Sequence, residues 1–215
     1  MGTLSESESR GVVADAGVVV SRWSVATDPV AAADEAARMG FPVAVKLCGP
    51  GITHKTERGL VRLGLAGSSE VEVTARELLA AATPGDGEVE LLISTMISGN
   101  RELIAGLVRD DSFGPCVMLG IGGVLAEALA DVAFRLVPLD RVDAHDLVDS
   151  LETQAVLGPS RGEPELDREA LVDALCALGS LARDQTIKSI DLNPIIISGG
   201  RPVAVDALVE LVDFD

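Results

Sequence analysis

A lysine inside an apolar stretch is the first residue of this sequence that could do chemistry. Lys46 lies in the segment 41–47, whose other six side chains are apolar. A buried lysine costs free energy unless an anion meets it, so its position suggests a bound anion. For Lys46 taken alone, a strand-end lysine that extends its ammonium group into water is the simpler interpretation.

The loop after Lys46 has the composition of a phosphate-binding loop, which favours the anion. Gly49 and Gly51 let backbone N–H groups approach a phosphate closely. Side-chain donors follow at Thr53, His54, Lys55 and Thr56. The Walker-type P-loop pattern is absent, so the loop is of another kind.

A second cluster of polar residues is predicted in a hairpin at the end of the chain. The sequence Ser198-Gly199-Gly200-Arg201 predicts a two-residue turn. Counting back along both strands from this turn pairs Asn193 with Asp206, with Cβ atoms about 4.5–5.5 Å apart. Asp191 lies on the same face, two residues before Asn193.

Carboxylate and amide oxygens with room for water and phosphate suit Mg²⁺, so this hairpin predicts a metal site. The competing interpretation is an Asx-type turn beside a surface carboxylate. The apolar character of both strands favours the metal. A further acid, Glu102, opens the predicted strand 103–108, where it could contact a ribose hydroxyl.

The elements that must position these residues form an α+β pattern. Ser5 and Glu8 predict a capping box for a helix that stops at Gly17, and Asp28-Pro29 begins a helix that ends at Gly40. Strands are expected at 18–23, 41–47, 60–65, 89–97, 103–108, 116–119, 134–138, 187–197 and 202–209. Further helices are expected at 69–82, 143–152 and 165–184. The break at 84–87 divides the chain into two α+β lobes, residues 1–95 and 96–215.

Composition excludes several classes of partner. The chain has 17 basic and 34 acidic residues and a formal net charge of −17, so it would not bind nucleic acid or anionic membrane broadly. Its three cysteines lack metal-ligand spacing, and its N-terminus lacks the pattern of a signal peptide. We therefore expect a cytoplasmic protein with no nucleic-acid or membrane partner.

The motifs together resemble a known family over nearly the whole chain. The family is the ATP-grasp (beta) subunit of the NDP-forming acyl-CoA synthetases, in the ADP-forming acetate–CoA ligase group related to succinyl-CoA synthetase. The matching segments are GFPVAVKL at 40–47, ITHKT at 52–56, RELIAGLVRDDSFGPCVMLGIGG at 101–123, EALADVAFRLVPL at 127–139, LGPSRGEP at 157–164, DLNPIII at 191–197 and VAVDA at 203–207. The resemblance implies an ATP-grasp fold, in which two α+β lobes clamp ATP or ADP.

The resemblance also implies roles for residues on the nucleotide side. Lys46 corresponds to the lysine on the α- and β-phosphates, and Glu102 to an acid on the nucleotide side. The segment 90–96, with Leu92 and Ser94, corresponds to the hinge that reads adenine through its backbone.

The phosphoryl-transfer residues follow in the same way. His54 corresponds to a histidine that is transiently phosphorylated, and Asp191 to the acid that orients it. Asn193 and Asp206 correspond to the Mg²⁺ ligands, in agreement with the hairpin argument.

The implied reaction is acyl-CoA + ADP + phosphate ⇌ acid + CoA + ATP, and the phosphoryl group passes through histidine. A CoA-binding alpha subunit is the implied partner in a hetero-oligomer, and it would hold most of the acid and CoA sites.

The chain departs from the family in the loop after Thr56. The family has an acid, valine and two glycines there, whereas this chain has Glu57, Arg58, Gly59 and Leu60. Two alternatives stay open at this point. One is an ATP-binding regulatory subunit without turnover, and the other is an ATP-grasp acid–thiol ligase that uses no histidine relay.

Overall fold

A computed structural model of the chain describes residues 2–52, 55–123 and 130–212. The described strands are β1 (Gly2–Thr3), β2 (Trp23–Ala26), β3 (Val43–Cys48), β4 (Val61–Leu65), β5 (Glu90–Thr95), β6 (Glu102–Asp110), β7 (Gly114–Ile121), β8 (Val132–Leu136), β9 (Ile187–Ser198), β10 (Arg201–Ala204) and β11 (Leu208–Leu211). The described helices are α1 (Glu6–Ala16), α2 (Pro29–Met39), α3 (Ser68–Ala80), α4 (Arg141–Asp149) and α5 (Arg168–Leu181), with short 3₁₀ turns at Pro84–Asp86 and Gln154–Val156.

Contacts divide the chain into two compact units. The N-terminal unit contains Ser5–Glu8 and Ser21–Met96, and the C-terminal unit contains the residues up to Leu4, Ser9–Val20 and the chain from Ile97 onward. The sequence predicted lobes of 1–95 and 96–215. The units meet in sequence near that boundary, but residues 9–20 cluster with the C-terminal unit because Val13 and Val18 are buried in its core.

The N-terminal unit is built on a four-stranded antiparallel sheet in the order β2-β5-β3-β4. All six residues of β3 are buried. Helix α2 starts where predicted, because the Asp28 side chain accepts hydrogen bonds from the N–H groups of Val30 and Ala31 at 3.0 Å. It ends before Gly40, whose φ of +88° favours glycine. Helices α2 and α3 pack on each other and on the strands to close an aliphatic core.

The C-terminal unit is built on a seven-stranded antiparallel sheet. Its order is β1-β11-β9-β6-β7-β8, and β10 also pairs with β9. Helix α5 packs on β6 and β7, and α4 packs on β8, so helices cover one face. Alternate residues of β6 (Leu103, Ala105 and Leu107) are buried in the core on that face, as the period of a half-buried strand requires.

The terminal hairpin has the register that the sequence predicts. Ser198 pairs with Arg201, and the pairing continues in register to Ile195 and Ala204. The predicted strand 202–209 is in fact two strands, β10 and β11, separated by residues 205–207. The same register resumes beyond the break, where Leu208 pairs with Asp191.

The predictions for the N-terminal region are partly confirmed. Ser5 and Glu8 form the capping box, with the Ser5 N–H donating to Glu8 Oε2 at 2.8 Å and the Glu8 N–H donating to Ser5 Oγ at 3.3 Å. The strand predicted at 18–23 is wrong, since the strand lies at Trp23–Ala26. Val18 is a buried core residue instead, and Val20 makes an isolated bridge to Ala204. In the described part of the chain, no helix is long and apolar enough to cross a membrane.

Candidate functional site

A buried carboxylate contacts Lys46, which precedes the predicted phosphate loop, and Lys55, which lies in that loop. Lys46 Nζ donates to Glu6 Oε1 at 2.7 Å, and Lys55 Nζ donates to Glu6 Oε2 at 2.5 Å. The Glu6 side chain is only 1% exposed, and that of Lys46 is 9% exposed. Lys46 is therefore buried against an anion, as the sequence suggested, but this anion is a residue of the first turn of α1.

The charges around Glu6 also act on Cys48 at the end of β3. Its Sγ lies 4.0 Å from Glu6 Oε2. Burial and, to a smaller extent, the negative charge of Glu6 raise the pKa of the Cys48 thiol to about 12. The thiol therefore stays protonated at neutral pH and behaves as a small buried side chain rather than a nucleophile.

Gly49 and Gly51 have a packing role in the loop. The N–H of Gly51 donates to the carbonyl of Asp86 at 3.1 Å. A Cβ at Gly51 would lie 2.1 Å from the Gly85 carbonyl oxygen, and a Cβ at Gly49 would lie 2.8 Å from that of Asp86. The two glycines thus let the loop lie directly on the Pro84–Asp86 turn. Their predicted phosphate contacts stay a prediction.

The two residues that depart from the family pattern both have structural partners. Arg58 makes a two-pronged ion pair with Asp86, with Nη1–Oδ1 and Nη2–Oδ2 distances of 2.7 and 2.9 Å. Asp86 also accepts from the N–H and hydroxyl of Thr83. These contacts hold the pKa of Asp86 well below its usual range, and the hydrogen bond from Arg58 makes the largest contribution. Leu60 is a buried core residue.

The residues of the predicted metal site all lie on the hairpin of the C-terminal unit. Asn193 and Asp206 lie between two paired positions of the hairpin, Ile195 with Ala204 and Asp191 with Leu208. Between these positions, the Val205 N–H donates to the Pro194 carbonyl at 3.1 Å. The pKa of Asp191 is raised above its usual value. The larger cause is the partial burial of its carboxyl group, and the second cause is the like charge of Asp206. The structure thus places Asp191 near Asp206.

The segment that carries Asp206 is supported from α1. Arg10 is fully buried and its guanidinium donates to the carbonyl of Val205. This contact fixes the connection between β10 and β11. The described residues contain no cluster of three His, Cys, Asp or Glu side chains suited to a metal ion. The predicted donor set differs from such a cluster, because it is a carboxylate and an amide.

The other residues that were predicted to contact the nucleotide lie in different parts of the structure. Leu92 and Ser94 are buried in β5, which is paired on both sides by β2 and β3, so their backbone groups are enclosed in the sheet. A backbone contact of these two residues with adenine does not fit this pairing. Glu102 is half-buried at the start of β6, where it pairs with Ile196 of β9. Thr53 and His54 lie outside the described residues.

Glu6 and Arg10 are buried charged residues that were not predicted from the sequence. A signal was present, because Glu6, Arg10 and the buried Val13 recur at i, i+4 and i+7 and so share one face of α1. Charged residues on the buried face of a helix require buried partners.

Comparison with known proteins gives the family. Residues 1–211 match the ATP-grasp domain family. The beta subunit of ADP-forming acetate–CoA ligase I of Pyrococcus furiosus is 33% identical over 208 residues, which cover 95% of this chain and 90% of that subunit. ADP-forming acetate–CoA ligase I of Archaeoglobus fulgidus is 32% identical over 209 residues, which cover 95% of this chain but 30% of that longer protein.

Solved structures agree with this result. Acetyl-coenzyme A synthetase 1 of Ca. Korarchaeum cryptofilum, in complex with coenzyme A and Ca-AMPCP, has a TM-score of 0.91 and 32% identity, covering 98% of this chain and 94% of that one. The same enzyme with Mg-AMPPCP, its phosphohistidine segment pointing towards the nucleotide binding site, has a TM-score of 0.83. This chain belongs to the ATP-grasp family, and within it to the beta subunits of the ADP-forming acyl-CoA ligases.

Proposed function

We propose that the chain is the nucleotide-binding subunit of an ADP-forming acyl-CoA ligase and that it makes ATP from ADP with a partner subunit. The observation that carries this proposal is the match to a beta subunit along 95% of this chain and 90% of that subunit. ADP-forming acetate–CoA ligase I of Archaeoglobus fulgidus is about three times as long as its matching part, because only 30% of it is covered. The proposed partner is an alpha subunit that binds CoA and supplies the remaining chemistry.

The phosphate side of the proposed site lies in the N-terminal unit. Lys46 and Lys55 bring two ammonium groups to the buried carboxylate of Glu6, and the three residues form one charged cluster. An ammonium group has three donors, so a contact with Glu6 does not by itself prevent a contact with a phosphate oxygen. We propose that this cluster neutralises charge on the nucleotide phosphates, which is the main task of a phosphoryl-transfer site.

The metal side of the proposed site lies in the C-terminal unit. Asn193 and Asp206 offer an amide and a carboxylate oxygen, which are ligands that Mg²⁺ accepts, and the hairpin register brings their strands together. When bound, the ion would neutralise charge on the phosphoryl group during transfer. Asp191, on the same strand, would orient the imidazole of His54, which would take the phosphoryl group from the partner and pass it to ADP.

The test is phosphoryl labelling of the full chain mixed with its purified partner subunit, acyl-CoA and labelled phosphate, first without ADP and then after ADP is added. We expect acid-labile label on this chain in the first step and formation of labelled ATP in the second, both lost in His54→Asn. A matched control is His145→Asn, since His145 is the only other histidine and pairs with Glu169 on the surface. ATP binding without label would favour a regulatory subunit, and ATP formation by His54→Asn would favour a ligase without a histidine relay.

A separate test addresses the metal ligands. Titration of the isolated chain with ATP should show binding that requires Mg²⁺ in the wild type and is weakened at least about tenfold in Asp206→Ala. Glu210→Ala is a control in β11, where Glu210 contacts Ser189 and Lys188. Equal Mg²⁺-dependent affinity in Asp206→Ala and the wild type would remove Asp206 from the metal site.

A further inference from the structure

The C-terminal unit exposes an apolar surface on the sheet face opposite its described helices. We call it the apolar patch, and it consists of Val108, Phe113, Val132, Phe134 and Leu136. Phe113 is 76% exposed, Leu136 56% and Phe134 52%. Large apolar side chains exposed together, rather than singly, mark interaction surfaces.

Strand register places the patch on the same face as the predicted catalytic acid. Asp191 of β9 pairs with Gly106 of β6, Gly106 with Met118 of β7, and Met118 with Phe134 of β8. Directly paired residues project from the same side of a sheet. Three strand spacings separate Asp191 from Phe134, about 14 Å at about 4.8 Å per strand.

The patch has a concave centre with a mostly apolar lining. A cavity of about 390 Å³ opens between Val108, Phe113, Phe134 and Leu136, and Asp110 and Arg135 also line it. Asp110 Oδ1 accepts from the N–H groups of Ser112 and Phe113 at 2.8 and 2.9 Å. The guanidinium of Arg135 donates to the Asp146 carbonyl and to Ser150 Oγ. The cavity therefore suits an apolar anchor rather than a charged ligand.

The composition makes this concentration of aromatic residues unusual. The chain has four phenylalanines, one tryptophan and no tyrosine, so the two phenylalanines of the patch are half of the total. Exposed aromatic residues around an apolar pocket are typical of the centre of a protein–protein interface.

We propose that the apolar patch is the docking surface for the partner subunit of the ligase, an inference that rests on the proposed function. In ADP-forming acetate–CoA ligase I of Archaeoglobus fulgidus, the part that this chain does not match is about 70% of the protein. The partner subunit must bring a phosphoryl group to the face that carries Asp191, and the patch lies on this face. A second copy of this chain would occupy the same face without supplying a phosphoryl donor.

The test measures the affinity of the full chain for the purified partner subunit that supports ATP formation. Phe113→Asp and Phe134→Asp should each weaken the complex at least about 30-fold, as expected of interface hot spots. Val142→Asp is the matched control, because Val142 is 67% exposed on α4, in the helical layer. All three variants should keep the Mg²⁺-dependent ATP affinity of the isolated wild-type chain.

Hydrogen exchange supplies a measurement that needs no variant. Addition of the partner to the wild-type chain should slow exchange in residues 111–116 and 132–136 and leave residues 141–149 unchanged. Partner affinity that is unchanged in both phenylalanine variants, or protection confined to α4, would overturn the proposal. So would a homodimer of the wild-type chain that Phe134→Asp dissociates without changing partner affinity.

The two proposals fail in different ways. If the proposed function is wrong, the wild-type chain shows neither acid-labile label nor Mg²⁺-dependent ATP binding. If only the docking surface is wrong, the wild-type chain passes both tests, and the patch variants bind the partner as tightly as it does.

Discussion

At the scale of single residues, two buried carboxylates that are paired with basic side chains define this molecule. Glu6 serves two lysines, and Asp86 is bound by both guanidinium Nη atoms of Arg58. Removing one partner of a buried pair leaves the other charge without compensation, which costs more than the pair contributes. Substitutions at Glu6 and Asp86 therefore test whether these contacts hold the loop.

Glu6→Gln should destabilise the chain by about 3 kcal/mol, because two ammonium groups lose their buried counter-charge. Denaturant unfolding of the full chain measures this change. Glu8→Gln is the control in the same helical turn. Glu8 is exposed and glutamine keeps the capping box, so its effect should stay below about 0.5 kcal/mol. Equal stability of the two variants would contradict the role given to Glu6.

The pair of Arg58 and Asp86 predicts a pH dependence of stability. The pKa of Asp86 is lowered in the folded chain, so its contribution is present above the unfolded pKa of about 3.9 and is lost as the pH falls below it. Asp86→Asn should thus lower the melting temperature at pH 7, and the difference from the wild type should shrink below about pH 4. Melting curves between pH 3 and 8 measure it.

Arg62→Gln is the control for this series. Arg62 donates only to carbonyl groups of Gly59 and Val61 in the described contacts, so its effect should not change over the same pH range. A pH-independent difference for Asp86→Asn would mean that its carboxylate is not stabilised by Arg58.

At the scale of elements, the phosphate loop is shaped by the turn on which it lies. Gly51 donates to the Asp86 carbonyl, and a Cβ at Gly87 would lie 2.9 Å from Pro50 Cγ. The Arg58–Asp86 pair adds a side-chain link between the same two elements. The loop and the Pro84–Asp86 turn thus behave as one packed element.

Gly51→Ala should destabilise the chain by about 2 kcal/mol, because its methyl group would require backbone to move. Gly11→Ala is the control. Gly11 lies inside α1, where an added Cβ would meet no neighbouring atom within 4 Å, so alanine there should stabilise by about 0.5–1 kcal/mol. Equilibrium urea unfolding of both variants measures the difference. A neutral Gly51→Ala would show that the loop does not depend on this contact.

At the scale of the whole molecule, the described residues form two hydrophobic cores. One core is made by residues of the N-terminal unit and the other by residues of the C-terminal unit. Proteins with more than one core often depart from a single cooperative transition. The ligand-free chain therefore need not unfold in one step.

Trp23 permits a direct test, since it is the only tryptophan and lies in β2 of the N-terminal unit. We expect the urea midpoint from its fluorescence to differ from the midpoint of far-UV circular dichroism, which reports both units. Glu6→Gln should move the fluorescence midpoint further than the dichroism midpoint, because Glu6 belongs to the N-terminal unit. If the fluorescence and dichroism transitions coincide in the wild type and in Glu6→Gln, the two units unfold in one cooperative transition.

The sequence by itself determined features that depend on neighbours along the chain. The capping box at Ser5 and Glu8, the start of α2 at Asp28 and the register from the turn at 199–200 all follow from local backbone geometry. The motifs also identified the family, because they keep the family's order over nearly the whole chain. For Asn193 and Asp206 the register predicts proximity from the turn alone.

Only the tertiary structure decided which residues meet across long separations. Lys46 and Glu6 are 40 positions apart, and Arg58 and Asp86 are 28 apart. Such pairs arise because packing brings distant elements together and buried charges must then be compensated, which no local pattern encodes. The same reason explains Gly51, since its packing against the Gly85 carbonyl exists only after the loop and the turn have met.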